Sequence, residues 1–247
     1  MGAQRTQAEQ QVADLLRTAK RALGLSVTFL SRMDGTTQHL EVVDSSIPFL
    51  FPEGARMVQA TSFCQAILDG RLPAVIPDVR ALPEAMALPA ARFPRLRSYV
   101  SAPVRLSDGT LYGTFCAAGL TTDKGLSARD QALMEVLAAA AAVVIEPGVV
   151  DRARAEEIES RLVPLLVEGG PTVVLQPIVD LASGRRAGAE ALSRFPAHWK
   201  LAPDVVFAQA HSIGLGHELE LLALERAARH LARVDGYVAM NVSPATL

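Results

Sequence analysis

Glu190, Leu192 and Arg194 occupy alternate positions of the run Ala189-Glu190-Ala191-Leu192-Ser193-Arg194-Phe195. On a strand, alternate side chains share a face, so these three point one way and Ala191 and Ser193 the other. A carboxylate and a guanidinium on one strand face can hold a metal ion and an anionic ligand close together. A second β-prone run, Val173-Val174-Leu175-Gln176-Pro177-Ile178-Val179-Asp180-Leu181, precedes it, with Ala182-Ser183-Gly184-Arg185 following as a turn. That connection is too short for the crossover parallel strands require, so the two runs form an antiparallel hairpin. Taken singly, the polar residues are ordinary: Glu190 reads as a solvated strand residue, Arg194 as a surface charge and Gln176 as a buried amide satisfied by backbone.

Order and spacing change that reading. Gln176-Pro177-Ile178-Val179-Asp180-Leu181 followed by Glu190-Ala191-Leu192-Ser193-Arg194 resembles the opening of the EAL domain, a cyclic di-GMP phosphodiesterase. Asn241-Val242-Ser243-Pro244 resembles the next motif of that family, so the resemblance spans residues 171–247. The tripeptide Glu-Ala-Leu alone would carry nothing, because helices use those residues constantly.

The resemblance implies catalytic and metal-binding roles for Glu190, a carboxylate ligand, and Asn241, a carbonyl ligand of the same Mg²⁺ or Mn²⁺. It also implies contacts from Gln176, Leu192 and Arg194 to cyclic di-GMP, with Arg194 suited to pairing a phosphate. Phosphodiester hydrolysis near neutral pH needs charge neutralisation and a deprotonated water, which two ions roughly 3.5–4 Å apart supply. Barrel enzymes gather the ligands from the C-terminal ends of several strands. The family's remaining acidic ligands, paired aspartates and lysine lie in later strands. Residues 171–247 cannot close a barrel of typically ~250 residues, and one carboxylate with one amide is too small a set for two ions. The expected fold of this segment is therefore an incomplete α/β, TIM-like barrel with no phosphodiesterase activity as the chain stands. An open barrel leaves a strand edge and apolar helix faces uncovered, so the chain is expected to be a fragment of a longer protein.

Upstream, the elements read in order. Val12, Leu15, Leu16, Ala19 and Leu23 recur at helical spacing, predicting a helix over 7–23 that Gly24 stops. Strands follow over 25–30 and 39–43, a short helix over 62–68, a strand over 74–76, and an irregular stretch with a helical turn over 80–97. Strands over 99–106 and 111–117 are joined by Ser107-Asp108-Gly109-Thr110, a hairpin signal. A helix over 127–146 opens with Ser127 and Asp130 in capping positions, and Pro147-Gly148 is expected to break it. Helix over 151–167 resumes, with Pro164 placed to kink or end it, and Gly169-Gly170-Pro171 marks a boundary. Beyond the hairpin, helices over 203–213 and 216–233 carry Leu219, Leu222, Ala223 and Leu231 on an apolar stripe, and a strand spans 237–243.

The first block is an α+β domain. Ser62-Phe63-Cys64-Gln65 with Asp69-Gly70, and the hairpin of residues 106–115, resemble a GAF domain over residues 8–146. The organisation expected is thus a GAF-like sensor domain over 1–146, a helical linker over 147–170 and the EAL portion over 171–247. GAF resemblance implies an unknown small-molecule signal and a homodimer, with signal passing through altered packing of helices 127–146 and 151–167. Two functions follow as alternatives: a sensor-regulated cyclic di-GMP phosphodiesterase, or a non-catalytic sensor and dimerisation module whose EAL remnant contacts a partner.

Composition bounds both. Half of the 247 residues are apolar, enough for a sizeable core, and a net charge of −2 gives no electrostatic case for duplex nucleic acid or an anionic membrane. The N-terminus lacks an apolar signal core, and the most apolar run, 136–145, is about half of what spans a bilayer. A cytoplasmic setting is expected. Cys64 and Cys116 lie far apart in sequence, which suits reduced thiols rather than a disulfide. They can serve as redox or chromophore sites in a GAF pocket, although buried free thiols are the commoner case. The five histidines, His39, His198, His211, His217 and His230, show no paired ligand spacing. No glycine-rich phosphate loop, nucleophile elbow or HExxH motif occurs.

Overall fold

The structure, a computed structural model, describes residues 5–47 and 51–244. Two compact units divide the chain, Met1–Val149 and Val150–Leu247.

The first unit opens with α1 (Gln7–Leu23), the span its periodicity predicts. Thr6 caps it: its side chain accepts from the Glu9 amide at 3.2 Å, while the Glu9 carboxylate accepts from the Thr6 amide at 2.7 Å. Gly24 closes it at φ +66°, a left-handed conformation that glycine adopts freely. There follow β1 (Val27–Met33), β2 (Thr37–Ser45), β3 (Arg56–Val58), α2 (Phe63–Leu68), β4 (Val75–Ile76), α3 (Pro83–Ala87), α4 (Pro89–Arg92), β5 (Ser98–Arg105), β6 (Leu111–Gly119) and α5 (Ala128–Val167). The strands form one sheet in the order β3-β2-β1-β6-β5-β4, every pair antiparallel.

One sheet face, carrying Leu30, Val42, Val100, Ala102, Phe115 and Ala117, packs with Val12 and Leu16 of α1 and with Met134, Leu137 and Ala141 of α5. The other, carrying Phe29, Leu40, Tyr99 and Cys116, packs with Phe63, Cys64 and Ala66 of α2 and with Val79, Ala85, Ala91 and Leu96. The β1–β2 register slips between Leu30 and Ser31, where Leu30 pairs with Val42 but Ser31 with Leu40. A one-residue slip exchanges the faces of a strand. Val42 therefore meets the helices, while Leu40 and Gln38 turn to the opposite side.

The break expected at Pro147 is absent: α5 runs unbroken from Ala128 to Val167, through Pro164 as well. Proline removes the bond to the carbonyl four residues back. Those carbonyls belong to Val143 and Ser160, both exposed like the prolines themselves, so water can satisfy them. Asp130 holds the start, its carboxylate accepting from the Ser127 amide at 2.8 Å. By length and composition alone α5 could cross a membrane; Met134, Leu137, Ala138 and Ala141 are buried in the core just described.

The second unit takes the end of α5 into its own core, so residues 151–167 are not a separate linker. Ile158, Leu162, Leu165 and Leu166 cluster with Val206 and Ala210 of α6 (Pro203–Ser212) and Leu219 of α7 (Gly216–Ala228). Arg226 of α7 caps α5, donating from Nε to the Gly169 carbonyl at 2.7 Å and from Nη2 to the Glu168 carbonyl at 2.8 Å. The sheet is β7 (Thr172–Val179), β8 (Arg186–Arg194) and β9 (Tyr237–Met240), in that order. β7–β8 is the antiparallel hairpin expected, and β8–β9 is parallel across the α6–α7 crossover. α7 stops at Ala228 rather than Arg233. Residues Leu231–Arg233 tighten into a 3-10 turn, which loses the 3.6-residue phase and leaves Leu231 51% exposed, off the buried stripe. The third strand likewise ends at Met240, and residues 245–247 lie outside the described range.

Candidate functional site

In the second unit, hairpin register sets Gln176 directly across from Glu190, Val174 across from Leu192 and Thr172 across from Arg194. Facing residues on an antiparallel pair share a side of the sheet, so Gln176, Glu190, Leu192 and Arg194 lie on one face. β9 then joins in parallel, with Glu190 paired to Ala239 and Ala191 to Met240. Asn241 follows immediately, and its Nδ2 donates to Glu190 Oε1 at 3.1 Å. The carboxylate and the amide thus meet at adjoining strand ends.

Leu192, Arg194 and Asn241 also border a cavity of about 370 Å³, whose other lining residues include Val173, Ala191, Ser193 and Met240 of the opposite sheet face and Phe207 and Ala223 of the helices. Glu190 is tied to its rim through Asn241; Gln176 is not among its lining residues. Arg194 donates from Nη1 to the Ser193 carbonyl at 2.9 Å and has no carboxylate partner among the described residues. Its guanidinium is open to an anion. Behind this face, the buried Glu220 of α7 accepts from Ser243 Oγ at 3.0 Å and bonds His211 Nε2 at 2.8 Å. That contact, which sequence spacing did not announce, anchors the segment after β9 and so fixes where Asn241 stands.

Glu190 and Asn241 fit a share of one hard cation's oxygen ligands. They do not fit a two-ion centre, and among the described residues no three His, Cys, Asp or Glu side chains converge as a metal group.

The first unit holds a different cluster. Cys64 of α2 and Cys116 of β6, distant in sequence, are both free and buried with their sulfurs 3.4 Å apart. Cys64 Sγ lies 3.0 Å from Tyr99 Oη and accepts from Gln38 Nε2 at 3.0 Å. Cys116 Sγ lies 3.2 Å from Ser101 Oγ and donates to Thr114 Oγ1 at 3.2 Å. Thr114 and Ser31 hydroxyls share a bond of 2.8 Å, and Gln38 Nε2 donates to Ser31 Oγ at 2.9 Å. Burial pushes both thiols up. For Cys64 the hydrogen bonds from Cys116, Thr114, Tyr99 and Gln38 outweigh it and bring the group down to about 7. Cys116, next to a Cys64 thiolate, is held well above its ordinary value by burial and by that neighbour.

Above the thiols opens a cavity of about 270 Å³, walled by Phe29, Leu40, Phe51, Phe63 and Leu96 and floored by Gln38, Cys64 and Tyr99. Exposed Phe93 and Val58 stand at its rim. Gln38 and Ser31 were missed from sequence because both fall just outside the strands expected over 25–30 and 39–43, whereas β1 runs on to Met33 and β2 starts at Thr37.

A GAF domain model matches residues 7–145, and an EAL domain model matches residues 160–247. Solved structures similar to this chain include the GAF domain from Acinetobacter phosphoenolpyruvate-protein phosphotransferase, at 12% identity over 59% of this chain and 86% of that one, TM-score 0.47. The blue-light absorbing form of the Thermosynechococcus elongatus PixJ GAF-domain matches at 11% identity over 60% and 91%, TM-score 0.47. Free methionine-R-sulfoxide reductase from Neisseria meningitidis, in complex with its substrate, matches at 19% identity over 57% and 80%, TM-score 0.45. No curated protein matches the chain.

Proposed function

We propose, from the premise that this chain belongs to the GAF domain family and carries part of an EAL domain behind it, that it serves cyclic di-GMP signalling as the sensory end of a regulated phosphodiesterase. The 3.1 Å bond between Asn241 and Glu190 carries the reading, because it brings together the two residues assigned to one metal ion from strands distant in sequence. Arg194, with no acidic partner among the described residues, pairs a phosphate of the dinucleotide, and Leu192 and Gln176 support its bases or ribose from the same sheet face. A bound Mg²⁺ or Mn²⁺ would supply charge neutralisation for the phosphodiester and lower the pKa of a water.

With two protein ligands in reach the 247-residue chain holds the dinucleotide loosely and does not cleave it. The first unit's cavity over Gln38, Cys64 and Tyr99 receives the signal. Ala132, Val136, Ala139 and Val143, exposed at alternating four- and three-residue steps on α5, form the seam of a homodimer. Val136 and Val143 are 67% and 73% exposed, and a second copy would cover them. α5 in this reading is a core and dimer helix, the protein sits in the cytoplasm, and neither membrane nor duplex nucleic acid is a partner.

Calorimetric titration of the 247-residue chain with cyclic di-GMP in Mg²⁺ tests the second unit. We expect weak binding, with a dissociation constant on the order of 10⁻⁴ M or above because the ligands are only partly preorganised. Arg194→Ala and Glu190→Ala should each abolish it, the latter only in the presence of metal. Binding indifferent to both substitutions overturns the site, and appearance of linear dinucleotide overturns the inactivity of this chain.

A further inference from the structure

The cyclic di-GMP reading uses the first unit's cavity as a signal site but gives the thiol pair at its floor no chemistry. Two sulfurs 3.4 Å apart need little movement to reach the ~2.0 Å of a disulfide. They are not equivalent. Cys64 lines the cavity, receives the Gln38 N–H and lies against the Tyr99 hydroxyl; Cys116 is behind it, in contact with Ser101 and Thr114. The Gln38 N–H would solvate a thiolate formed at Cys64, while Cys116 donates to Thr114 Oγ1. Gln38 adds an independent sign. It is 1% exposed, lines the same cavity, and its Oε1 is a buried acceptor without a partner among the described residues. Buried acceptors left unpaired are uncommon and costly.

We propose that Cys64 is the reaction site for an organic hydroperoxide and Cys116 its resolving thiol. The Cys64 thiolate attacks the outer peroxide oxygen, which keeps its hydrogen, the O–O bond breaks, and the alkoxide leaves as an alcohol once protonated by the Tyr99 hydroxyl, which then regains a proton from solvent. Cys64 is then a sulfenic acid. The Cys116 sulfur attacks that sulfenic sulfur and expels hydroxide, which leaves as water with the Cys116 proton. Two thiols and one hydroperoxide thus give one disulfide, one alcohol and one water. The apolar walls Phe29, Leu40, Phe51 and Phe63 accommodate a hydrocarbon tail, and Gln38 Oε1 accepts from the hydroperoxide O–H. Oxidation ties α2 to β6 covalently, which makes the cavity a recorder of oxidant rather than a reversible binding site alone.

The test uses the full 247-residue chain, reduced and freed of reductant, with cumene hydroperoxide and separately with hydrogen peroxide. Intact mass should fall by two hydrogens and peptide mapping should find Cys64 joined to Cys116. Cumene hydroperoxide should react about tenfold faster or more, since several apolar groups are buried on binding. In Cys116→Ser, a sulfenic-acid trapping reagent should label Cys64, and Cys64→Ser should take no label. The unmodified chain in denaturant supplies a comparison independent of how the variants fold, and its cysteines should lose the preference between oxidants. Equal rates for the two peroxides in the native chain, label on Cys116 first, or a native rate no faster than the denatured one each overturn the proposal.

Discussion

Leu162→Ala asks whether the end of α5 belongs to the second unit's core. The Leu162 side chain is 2% exposed and shares a cluster with Ile158, Leu165, Leu166, Val206, Ala210 and Leu219. Near-complete burial means the full transfer term is lost, and a helix surrounded by two others closes poorly around the gap. Leucine-to-alanine changes at such sites cost about 2–5 kcal/mol. A middle figure of about 3 kcal/mol corresponds to roughly a hundredfold in an opening equilibrium. Helix propensity cannot confuse the result, because alanine is the best helix former and acts in the stabilising direction. Its neighbour Val163, 42% exposed, is the control: Val163→Ala should stay within about 0.5 kcal/mol. Hydrogen exchange by mass spectrometry resolves the two units in one sample. Peptides from β7, β8 and α6 should exchange about a hundredfold faster in Leu162→Ala, with those from β5 and β6 unchanged. Equal exchange in the two variants would falsify the assignment and return residues 151–167 to the status of a free linker.

Gly188→Ala places a methyl against the Tyr237 carbonyl across the β8–β9 ladder; the strain of about 1–3 kcal/mol should speed exchange at residues 237–240 and weaken metal-dependent cyclic di-GMP binding, measured by titration. Pro147→Ala restores an intrahelical bond to Val143 and should stabilise the protein by up to about 3 kcal/mol in denaturant melts, whereas no gain would mean that α5 already bends to absorb the loss. If α5 forms the proposed seam, the unsubstituted chain should sediment as a dimer and Val143→Glu as a monomer, and a monomer before substitution refutes the seam. Cys64, brought down to about 7 by its hydrogen bonds, should be about half thiolate at neutral pH against a few per cent for an ordinary thiol, and its alkylation by iodoacetamide should rise through pH 7 and level off by about pH 8. Since the folded value is the lower one, a rise centred above pH 8.5 contradicts it.

Local rules account for what was legible. The span of α1, its stop at Gly24, the Asp108-Gly109 hairpin and the alternation of Glu190, Leu192 and Arg194 depend only on neighbours in the chain. The resemblance names Glu190 and Asn241 as ligands of one ion, and the β8–β9 pairing sets their side chains 3.1 Å apart. What stayed hidden depends on distant partners. β3 is a three-residue exposed edge with no apolar rhythm of its own. Pro147 looked like a terminator because its sequence cannot reveal that Val143 faces water. The slip beside Leu30 turns Gln38 inward, and no pattern in β2 shows which residue of the run will be skipped. Cys64 and Cys116, taken as separate thiols, are neighbours only because β6 runs beside β1 and β5 under α2.

The linked hydroxyls, amide and thiols of Gln38, Ser31, Thr114, Cys116, Ser101, Cys64 and Tyr99 also constrain how this interior can drift. An apolar replacement at any one of them orphans the atoms it held, so a tolerated change must be answered next door. In a library of random functional variants, Ser31 with Thr114 and Gln38 with Cys64 should vary as pairs or stay put, while Phe29 and Leu40 a few ångströms away exchange freely among hydrocarbons.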